Sequence, residues 1–512
     1  MRSYRGLTLL WLLAFAVFHL WFIASGRWPL APDEAHYWEW SRRLDWSYYS
    51  KGPLVAFLIG ISTRLGGHTE FWVRLPAVLL GTALAALAGI AYVLTRRIFQ
   101  SERAAFLSVV FLSLMPLYAA GSFLMTIDPP FVFFWGLASL CLCHAVRRRS
   151  QAAWYGAGIA FGFGLLSKYT MLMLLPCVLL WLLASPRLRP WLRRREPYEA
   201  ACLGLLIFSP VVVWNIRHSW LSGRHVLVQA GSGSRWTIGS SLFGGPEFLG
   251  TQLGVVSPFL FVLMLLAVTW AWQEGLRQSR DDLLLLACFS APVFLFFQVW
   301  SFATKVQANW AAHAYVTAAV AAAGWSETWP RWGEHRQTTR RLNGLLRASI
   351  ILPALLLPVA LFPDVLGLFG ARVPAAVDLV SKRLRGWPEL GRAVREQMRS
   401  VPRPPFLVSD RYQIASELAF YVEGHPQVFN ANLGRRMNQY DLWGGWDELR
   451  GRDGLFVTYG SGEPPGELRS AFQQVEQVRV VSIVHRGQPL RDFSIYWGRD
   501  FQGFPPRPFT GY

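Results

Sequence analysis

The strongest constraint on this chain is that its apolar residues gather into long, nearly uncharged runs separated by short arginine clusters. Leu7–Ser25, Leu75–Leu94, Ala104–Ala120 and Phe259–Trp272 are four such runs. A helix needs about 20 apolar residues to cross a bilayer, and several runs approach that length. Lipid offers no partners to backbone polar groups, so the runs are read as helices and not as strands. A hydrophobic share of 53% over 512 residues is also too high for a soluble enzyme of this length.

The formal charge of +19 invites a nucleic-acid reading, but its placement argues against one. The excess sits at Arg96-Arg97, Arg147-Arg148-Arg149, Arg193-Arg194-Arg195 and Arg336 to Arg347, always between apolar runs. Such clusters mark cytoplasmic loops. Membrane topology accounts for the basicity, and no nucleic-acid partner is expected. The five cysteines, Cys141, Cys143, Cys177, Cys202 and Cys288, all fall in apolar segments and suggest neither a disulfide framework nor a thiolate metal site. Arg2 and Arg5 precede the first run as in a secretory signal, yet no convincing small-residue cleavage site comes before the Trp-rich stretch. The run is read as an uncleaved first helix with its N-terminus inside.

Taking the arginine clusters as inside markers, the spans alternate consistently. Helices are expected at about 7–25, 72–95, 104–122, 131–146, 152–166, 170–184, 200–216, 251–272, 283–300, 311–325 and 346–367. About eleven crossings from an inside start put the C-terminus outside. Segments 26–70, 123–130, 167–169, 217–250 and 301–310 then share the outer face with everything beyond about residue 370. That last region alternates strand-like runs (Phe406–Ser409, Leu455–Tyr459, Val478–Val484, Phe493–Tyr496) with helix-like ones (Arg411–Val422, Pro465–Gln474). The expected architecture is a polytopic α-helical membrane protein: a bundle over 1–367 with an outer loop at 26–70, and a small extracytoplasmic α/β domain over 368–512. Within the loop, Glu34–Trp46 interleaves tryptophans with charges and reads as an amphipathic helix lying in the outer membrane interface.

Carboxylates at the outer boundary stand out, because charge at membrane depth is costly and is usually paired or functional. Asp33 and Glu34 follow the first helix, and Asp128 lies in Thr126-Ile127-Asp128-Pro129-Pro130. The bland alternative for Asp33 and Asp128 is a helix N-cap. Lysine usage adds an independent signal. Only Lys51, Lys168, Lys305 and Lys382 occur among 50 basic residues, and the first three fall in outer turns. A compact ammonium suits a phosphate, although a lysine at a helix end also snorkels. Arg74 at the start of the second helix and Arg217 after the seventh join this set. Carboxylates and several cations flanked by aromatics suit an anionic lipid headgroup and a hydroxyl acceptor. The cations would hold a phosphate leaving group, and a carboxylate would take the acceptor's proton.

At these residues the chain resembles the GT-C glycosyltransferases, specifically the dolichyl-phosphate-mannose protein mannosyltransferase and aminoarabinose (lipid A) transferase superfamily. The resemblance lies in Asp33-Glu34-Ala35-His36-Tyr37-Trp38-Glu39-Trp40-Ser41 leading to Ser50-Lys51-Gly52-Pro53-Leu54. Arg74-Leu75-Pro76, Thr126-Ile127-Asp128-Pro129-Pro130, Leu166-Ser167-Lys168 and Lys305-Val306-Gln307-Ala308-Asn309-Trp310 match later motifs. Asp410-Arg411-Tyr412-Gln413 and Glu417-Leu418-Ala419-Phe420-Tyr421 do so in the outer domain. The family commonly has Pro-Pro where Gly52-Pro53 follows Lys51 here.

The resemblance implies an inverting transfer of a hexosyl or pentosyl group from a polyprenyl-phosphate donor to a lipid, glycan or protein, on the outer face of the cell inner membrane. It implies Asp33 as the catalytic carboxylate, Asp128 as a second acidic residue and Lys51 as a phosphate contact. Glu34 is grouped with the catalytic carboxylates. Lys51, Arg74, Lys168, Arg217 and Lys305 form the expected donor-phosphate set. A divalent metal would have to use Asp33, Glu34 and His36, one short cluster, and no metal requirement is predicted. A transporter or flippase of an anionic lipid-linked substrate is the competing class. It would show an internal repeat and charges near the midplane, which this sequence lacks. A ligase using a polyprenyl diphosphate is the competitor within enzymes.

Overall fold

The computed structural model describes residues 2–81, 86–229, 238–329, 336–362, 364, 383–400 and 403–504. Lys382, Arg331 and the expected domain boundary at 367/368 lie outside these. The helices of the N-terminal part are α1 (Arg2–Ala24), α2 (Pro32–Arg42), α3 (Leu54–Gly66), α4 (Glu70–Leu80), α5 (Ala86–Phe99) and α6 (Glu102–Leu114). There follow α7 (Pro116–Gly121), α8 (Asp128–Arg148), α9 (Gln151–Ser167), α10 (Leu174–Ala184), α11 (Glu196–Arg217) and α12 (Leu221–Gln229). The last six are α13 (Ile238–Val256), α14 (Pro258–Arg277), α15 (Asp281–Cys288), α16 (Ala291–Trp300), α17 (Ala314–Trp325) and α18 (Arg336–Leu361).

Six helical spans among the described residues are long and apolar enough to cross a membrane: Tyr4–Ala24, Asp128–Arg148, Glu196–Arg217, Pro258–Arg277, Asp281–Trp300 and Gln337–Leu361. The chain is a membrane protein. The expected spans overlap observed helices, but several are broken where local chemistry demands it. Pro116 splits the third into α6 and α7. The stretch 251–272 straddles a break at Ser257, whose φ of +86° and following Pro258 end α13. The ninth breaks between α15 and α16 before Pro292, and the second meets a short gap at 82–85, outside the described residues.

Packing explains why shorter helices suffice in the middle. Every residue of α17 is buried, and its run of alanines lets α5, α6, α14 and α15 approach from all sides. Small residues also set the contact of α9 with α11. A Cβ on Gly158 would stand 2.3 Å from the Ala200 carbonyl oxygen, so only glycine permits that approach.

Beyond the bundle, β1 (Phe406–Ser409), β2 (Val428–Asn430), β3 (Gly454–Tyr459), β4 (Phe472–His485) and β5 (Gln488–Phe501) form one sheet in the order β2-β1-β3-β5-β4. β1 pairs in parallel with β2 and β3, and β5 runs antiparallel to β3 and β4. The helix expected over 465–474 ends at Ala471, because Phe472 turns inward to begin β4.

The expectation for α2 needs correction. Its apolar stripe is not turned to lipid. Trp38, Trp40 and Tyr48 are fully buried and share one core with Leu390, Ile414 and Leu418 of the C-terminal region. The tryptophans that look like an interfacial stripe are the filling between bundle and sheet layer, and only Trp46 stays exposed. The outer loop also holds an unexpected helix, α3.

Candidate active site

Adjacent carboxylates at the start of α2 face opposite environments, because successive helical residues point about 100° apart. Glu34 is wholly enclosed. Its Oε2 accepts from the Arg74 guanidinium at 2.7 Å and from the Ala31 amide at 2.9 Å, and its Oε1 accepts from Arg74 Nε at 3.0 Å and the Met125 amide at 2.9 Å. Arg74 also donates to the carbonyls of Trp28 and Pro29 at 2.7 and 2.8 Å. This buried pair ties the segment before α2, helix α4 and the segment before α8 together. Glu417 presses on the same pair; its carboxyl oxygens have no hydrogen-bond partner among the described residues, and burial raises its pKa well above the ordinary range.

Asp33, one residue back, is exposed and accepts from the Tyr412 hydroxyl at 3.3 Å. Its pKa is raised by the protein around it, against the opposing pull of Tyr412, Lys51 and Arg383. One turn along α2, the buried Tyr37 lies within the field of both Asp33 and Asp128. Asp33 is not the N-cap of α2, a place held by Ala31, and Asp128 is likewise the first residue of α8 and not its cap.

Lys51 faces the same space from the turn before α3. Burial lowers its pKa to about 8, helped by Lys168 and Arg436 and opposed by Asp128 and Asp33. Among the described residues it makes no ion pair. The turn itself is pinned on three sides. Ser222 Oγ donates to the Tyr48 carbonyl at 2.7 Å, Ser47 meets the Tyr169 hydroxyl at 3.3 Å, and Gln439 accepts from the Tyr49 amide at 2.7 Å. Gly52 allows the closest approach: a Cβ there would lie 2.1 Å from the Leu166 carbonyl oxygen. Glycine in place of the first proline of a Pro-Pro pair therefore has a local reason.

Lys168 caps the C-terminus of α9, directly after that contact, and reaches Asp128 Oδ1 at 2.8 Å. Asp128 Oδ2 accepts from Asn309 Nδ2 at 2.5 Å. Behind Lys168 stand the Phe131 ring, at 5.4 Å, and His313, which is fully buried against Phe131 and Trp135. A cavity of about 220 Å³ opens on Asp128, Thr126 and Asn309 and is otherwise walled mainly by apolar residues such as Leu87, Leu124 and Val132.

Asp33, Lys51, Asp128 and Lys168 therefore converge, although they come from four segments. Other expected members do not. Glu34 and Arg74 are committed to each other. Lys305 is 76% exposed and faces Glu247 at 3.5 Å, and Arg217 is exposed at the end of α11. Neither acts on Asp33 or Lys51. The trio offered for a metal does not converge either. His36 Nε2 accepts from Trp40 Nε1 at 3.1 Å and Nδ1 meets Ser416 at 3.1 Å, while Glu34 is held by Arg74. Among the described residues no three His, Cys, Asp or Glu side chains are placed to hold a metal ion. The site gains Tyr37, Asn309, Arg383, Tyr412 and Arg436 instead. Asn309 and Tyr412 sit in recognisable motifs, whereas nothing around Arg436 sets it apart in sequence.

This arrangement can be set beside known proteins. ArnT from Cupriavidus metallidurans, including a structure bound to undecaprenyl phosphate, superposes with a TM-score of 0.61 over 95% of this chain and 97% of that one, at 15% identity. The archaeal oligosaccharyltransferase AglB from Archaeoglobus fulgidus follows at 0.51, over 87% and 69%, at 12% identity. The fold is of the GT-C type. The GT-C resemblance is also visible in sequence, where the dolichyl-phosphate-mannose-protein mannosyltransferase family model matches residues 50–214. Lipid A galacturonosyltransferase RgtD of Rhizobium johnstonii is 30% identical over 63% of this chain and 65% of its own length. The undecaprenyl phosphate-alpha-4-amino-4-deoxy-L-arabinose arabinosyl transferase of Pseudomonas aeruginosa is 31% identical over 40% of this chain and 39% of its own. In both cases the match spans less than two thirds of the relative. The superfamily resemblance read from the motifs is borne out.

Proposed function

We propose that this GT-C protein is a glycosyltransferase that moves a hexosyl or pentosyl group from a polyprenyl-phosphate donor to an acceptor hydroxyl outside the cytoplasmic membrane, with inversion. A glycolipid of the lipid A kind is the favoured acceptor, because RgtD carries that substrate in its name. The observation that supports the reading best is the convergence of these charges from separate segments. Asp33 lies within the field of Lys51, an amine without an ion-pair partner among the described residues, and the Asp128–Lys168 pair stands beside it.

The chemistry follows from those positions. The acceptor oxygen forms a bond to the anomeric carbon as the bond from that carbon to the phosphate oxygen breaks. The electron pair leaves on the phosphate, and the acceptor proton passes to Asp33. A raised carboxyl pKa makes Asp33 a stronger base than an ordinary aspartate. Lys51 is still largely protonated at neutral pH, and an arriving phosphate favours its charged form further. Lys51 and Lys168, together with Arg436, are the cations assigned to the leaving phosphate, and Asp128 with Asn309 positions Lys168. Glu34 and Arg74 are assigned to scaffolding, and Arg217 and Lys305 lie outside the site.

The same reading keeps eleven crossings, a bundle over 1–367 in the cell inner membrane and an extracytoplasmic α/β domain over 368–512. Its support is polarity: arginine clusters end α5 and α8, while α2, α3 and the sheet layer share a core with the site. The test is transfer of radiolabelled sugar from a polyprenyl phosphate in proteoliposomes. Asp33→Asn is expected to abolish transfer while retaining donor binding. Near-normal transfer in that variant removes Asp33 from the mechanism. Flipping of the donor by the unaltered protein, without transfer, favours a flippase.

A further inference from the structure

A second concentration of charge lies at the other end of the bundle, where a cavity of about 680 Å³ opens between the last turns of α5 and α8 and the first turn of α6. Arg96, Arg97, Arg147 and Arg148 line it, and Glu102 is its one carboxylate. Glu102 is already engaged: it accepts from Arg96 Nε at 2.6 Å and from the Tyr92 hydroxyl. Arg97, Arg147 and Arg148 have no carboxylate partner among the described residues. Two of these guanidinium groups are nevertheless held in place. Arg97 Nη1 meets His144 Nδ1 at 3.1 Å, and Arg147 Nη1 donates to the Arg97 carbonyl. Arg5 of α1 also acts on Tyr92 at the rim.

Membrane topology alone requires positive charge on this side, but not this arrangement. Elsewhere at the same end some arginines have carboxylate partners, Arg103 with Glu327 at 2.9 Å, Arg195 with Glu199 at 3.5 Å, Arg280 with Asp282 at 2.8 Å and Arg194 with Glu196, while others such as Arg187 and Arg189 donate to the backbone carbonyls of Ser279 and Leu183. Arg97, Arg147 and Arg148 differ from these in facing one cavity of small-molecule size. Guanidinium forks match phosphate or carboxylate oxygens two at a time, and several forks on one cavity suit a group with three or more acceptor oxygens, such as a phosphate. Val93 and Cys143 form an apolar wall to the same cavity. A ligand with a phosphate next to apolar matter fits better than a soluble polyanion.

We propose that the arginine-lined pocket between α5, α6 and α8 binds the phosphate headgroup of an anionic lipid in the leaflet opposite the active site. This needs only that the arginine end meet a membrane surface, and it is independent of sugar transfer.

The test uses the full-length protein in nanodiscs of mixed phosphatidylglycerol and phosphatidylcholine, with lipid retention read by native mass spectrometry. The unaltered protein is expected to keep phosphatidylglycerol about tenfold over phosphatidylcholine, the range that several basic residues at a membrane surface supply. R97Q/R147Q, which leaves Arg96, Arg148 and Arg149 to preserve topology, is expected to lose most of that preference. If the double variant does not elute as a single species, R147Q alone is read the same way and is expected to lose about half. R195Q, which removes an arginine paired elsewhere on this end, is expected to keep it. An unchanged preference in R97Q/R147Q, or an equal loss in R195Q, overturns the site. Complete displacement of the lipid by millimolar inorganic phosphate overturns the lipid assignment in favour of a soluble phosphate.

Discussion

The two ends of the bundle carry the same sign of excess charge and use it differently. At the arginine end the cations come from neighbouring helix termini, are mostly exposed, and differ little from one another in sequence context. At the site end they come singly, from residues 51, 168 and 436, and Lys51 is desolvated enough to shift its pKa. Solvated charge is interchangeable and screened, whereas desolvated charge depends on its exact neighbours. Substitutions at the site end should therefore act individually and strongly, and substitutions at the arginine end collectively and mildly.

Several experiments can break or sharpen that contrast. The largest effect is expected from Asp33→Asn, at about a hundredfold to ten-thousandfold in transfer rate, the usual range for a positioned general base. Next is Glu34→Gln, which leaves Arg74 as a buried charge without its counterion. A loss of about 3–5 kcal/mol is expected in denaturation of the purified protein. The double variant Glu34→Gln/Arg74→Gln should recover part of it. A Glu34→Gln protein of normal stability but no transfer activity would return Glu34 to the chemistry.

Gly52→Ala follows. The new methyl would sit 2.1 Å from the Leu166 carbonyl oxygen, so the turn carrying Lys51 must move. A shift near 1 Å corresponds to about a hundredfold in rate. Retention of full donor affinity and turnover would mean that Lys51 needs no such precision.

The pH dependence comes next. Lys51, depressed to about 8, loses its charge as pH rises through that value, so donor binding should weaken on the alkaline side. Asp33 must be ionised to act, and its raised pKa moves the acidic limb above that of an ordinary aspartate. Lys51→Arg should remove the alkaline limb; a limb that persists belongs to another group. The smallest effect is expected from Lys305→Gln, because an exposed pair contributes about 1 kcal/mol or less. A clear loss of donor affinity there would extend the site to the turn after α16.

How much of this was legible in the sequence depends on the range of the interaction. Spans overlapping all eleven expected helices exist, because apolar runs and proline breaks are local signals. The strands at 406–409 and 454–459 were readable for the same reason. Asp33, Lys51, Asp128 and Lys168 could be picked out because charge at a membrane boundary is conspicuous wherever it occurs. The same rule also picked Arg74, Arg217 and Lys305, since rarity does not say what a charge faces. The tryptophans of α2 misled in a related way. An amphipathic stripe reports that something apolar covers it, and not whether the cover is lipid or the helix Tyr412–Tyr421.

The sequence by itself determined that this chain enters a membrane, which end is basic, and where carboxylates and lysines meet the boundary, since all of these follow from composition along short stretches. Only the tertiary structure decided which of two adjacent carboxylates is free and which lysines share a cleft. It also decided that Tyr412 and Arg436 reach the cleft from the far end of the chain. Those outcomes rest on contacts between residues 40 to 379 positions apart, such as Arg74 with Glu34 and Tyr412 with Asp33. No local pattern encodes a partner at that distance; packing selects it.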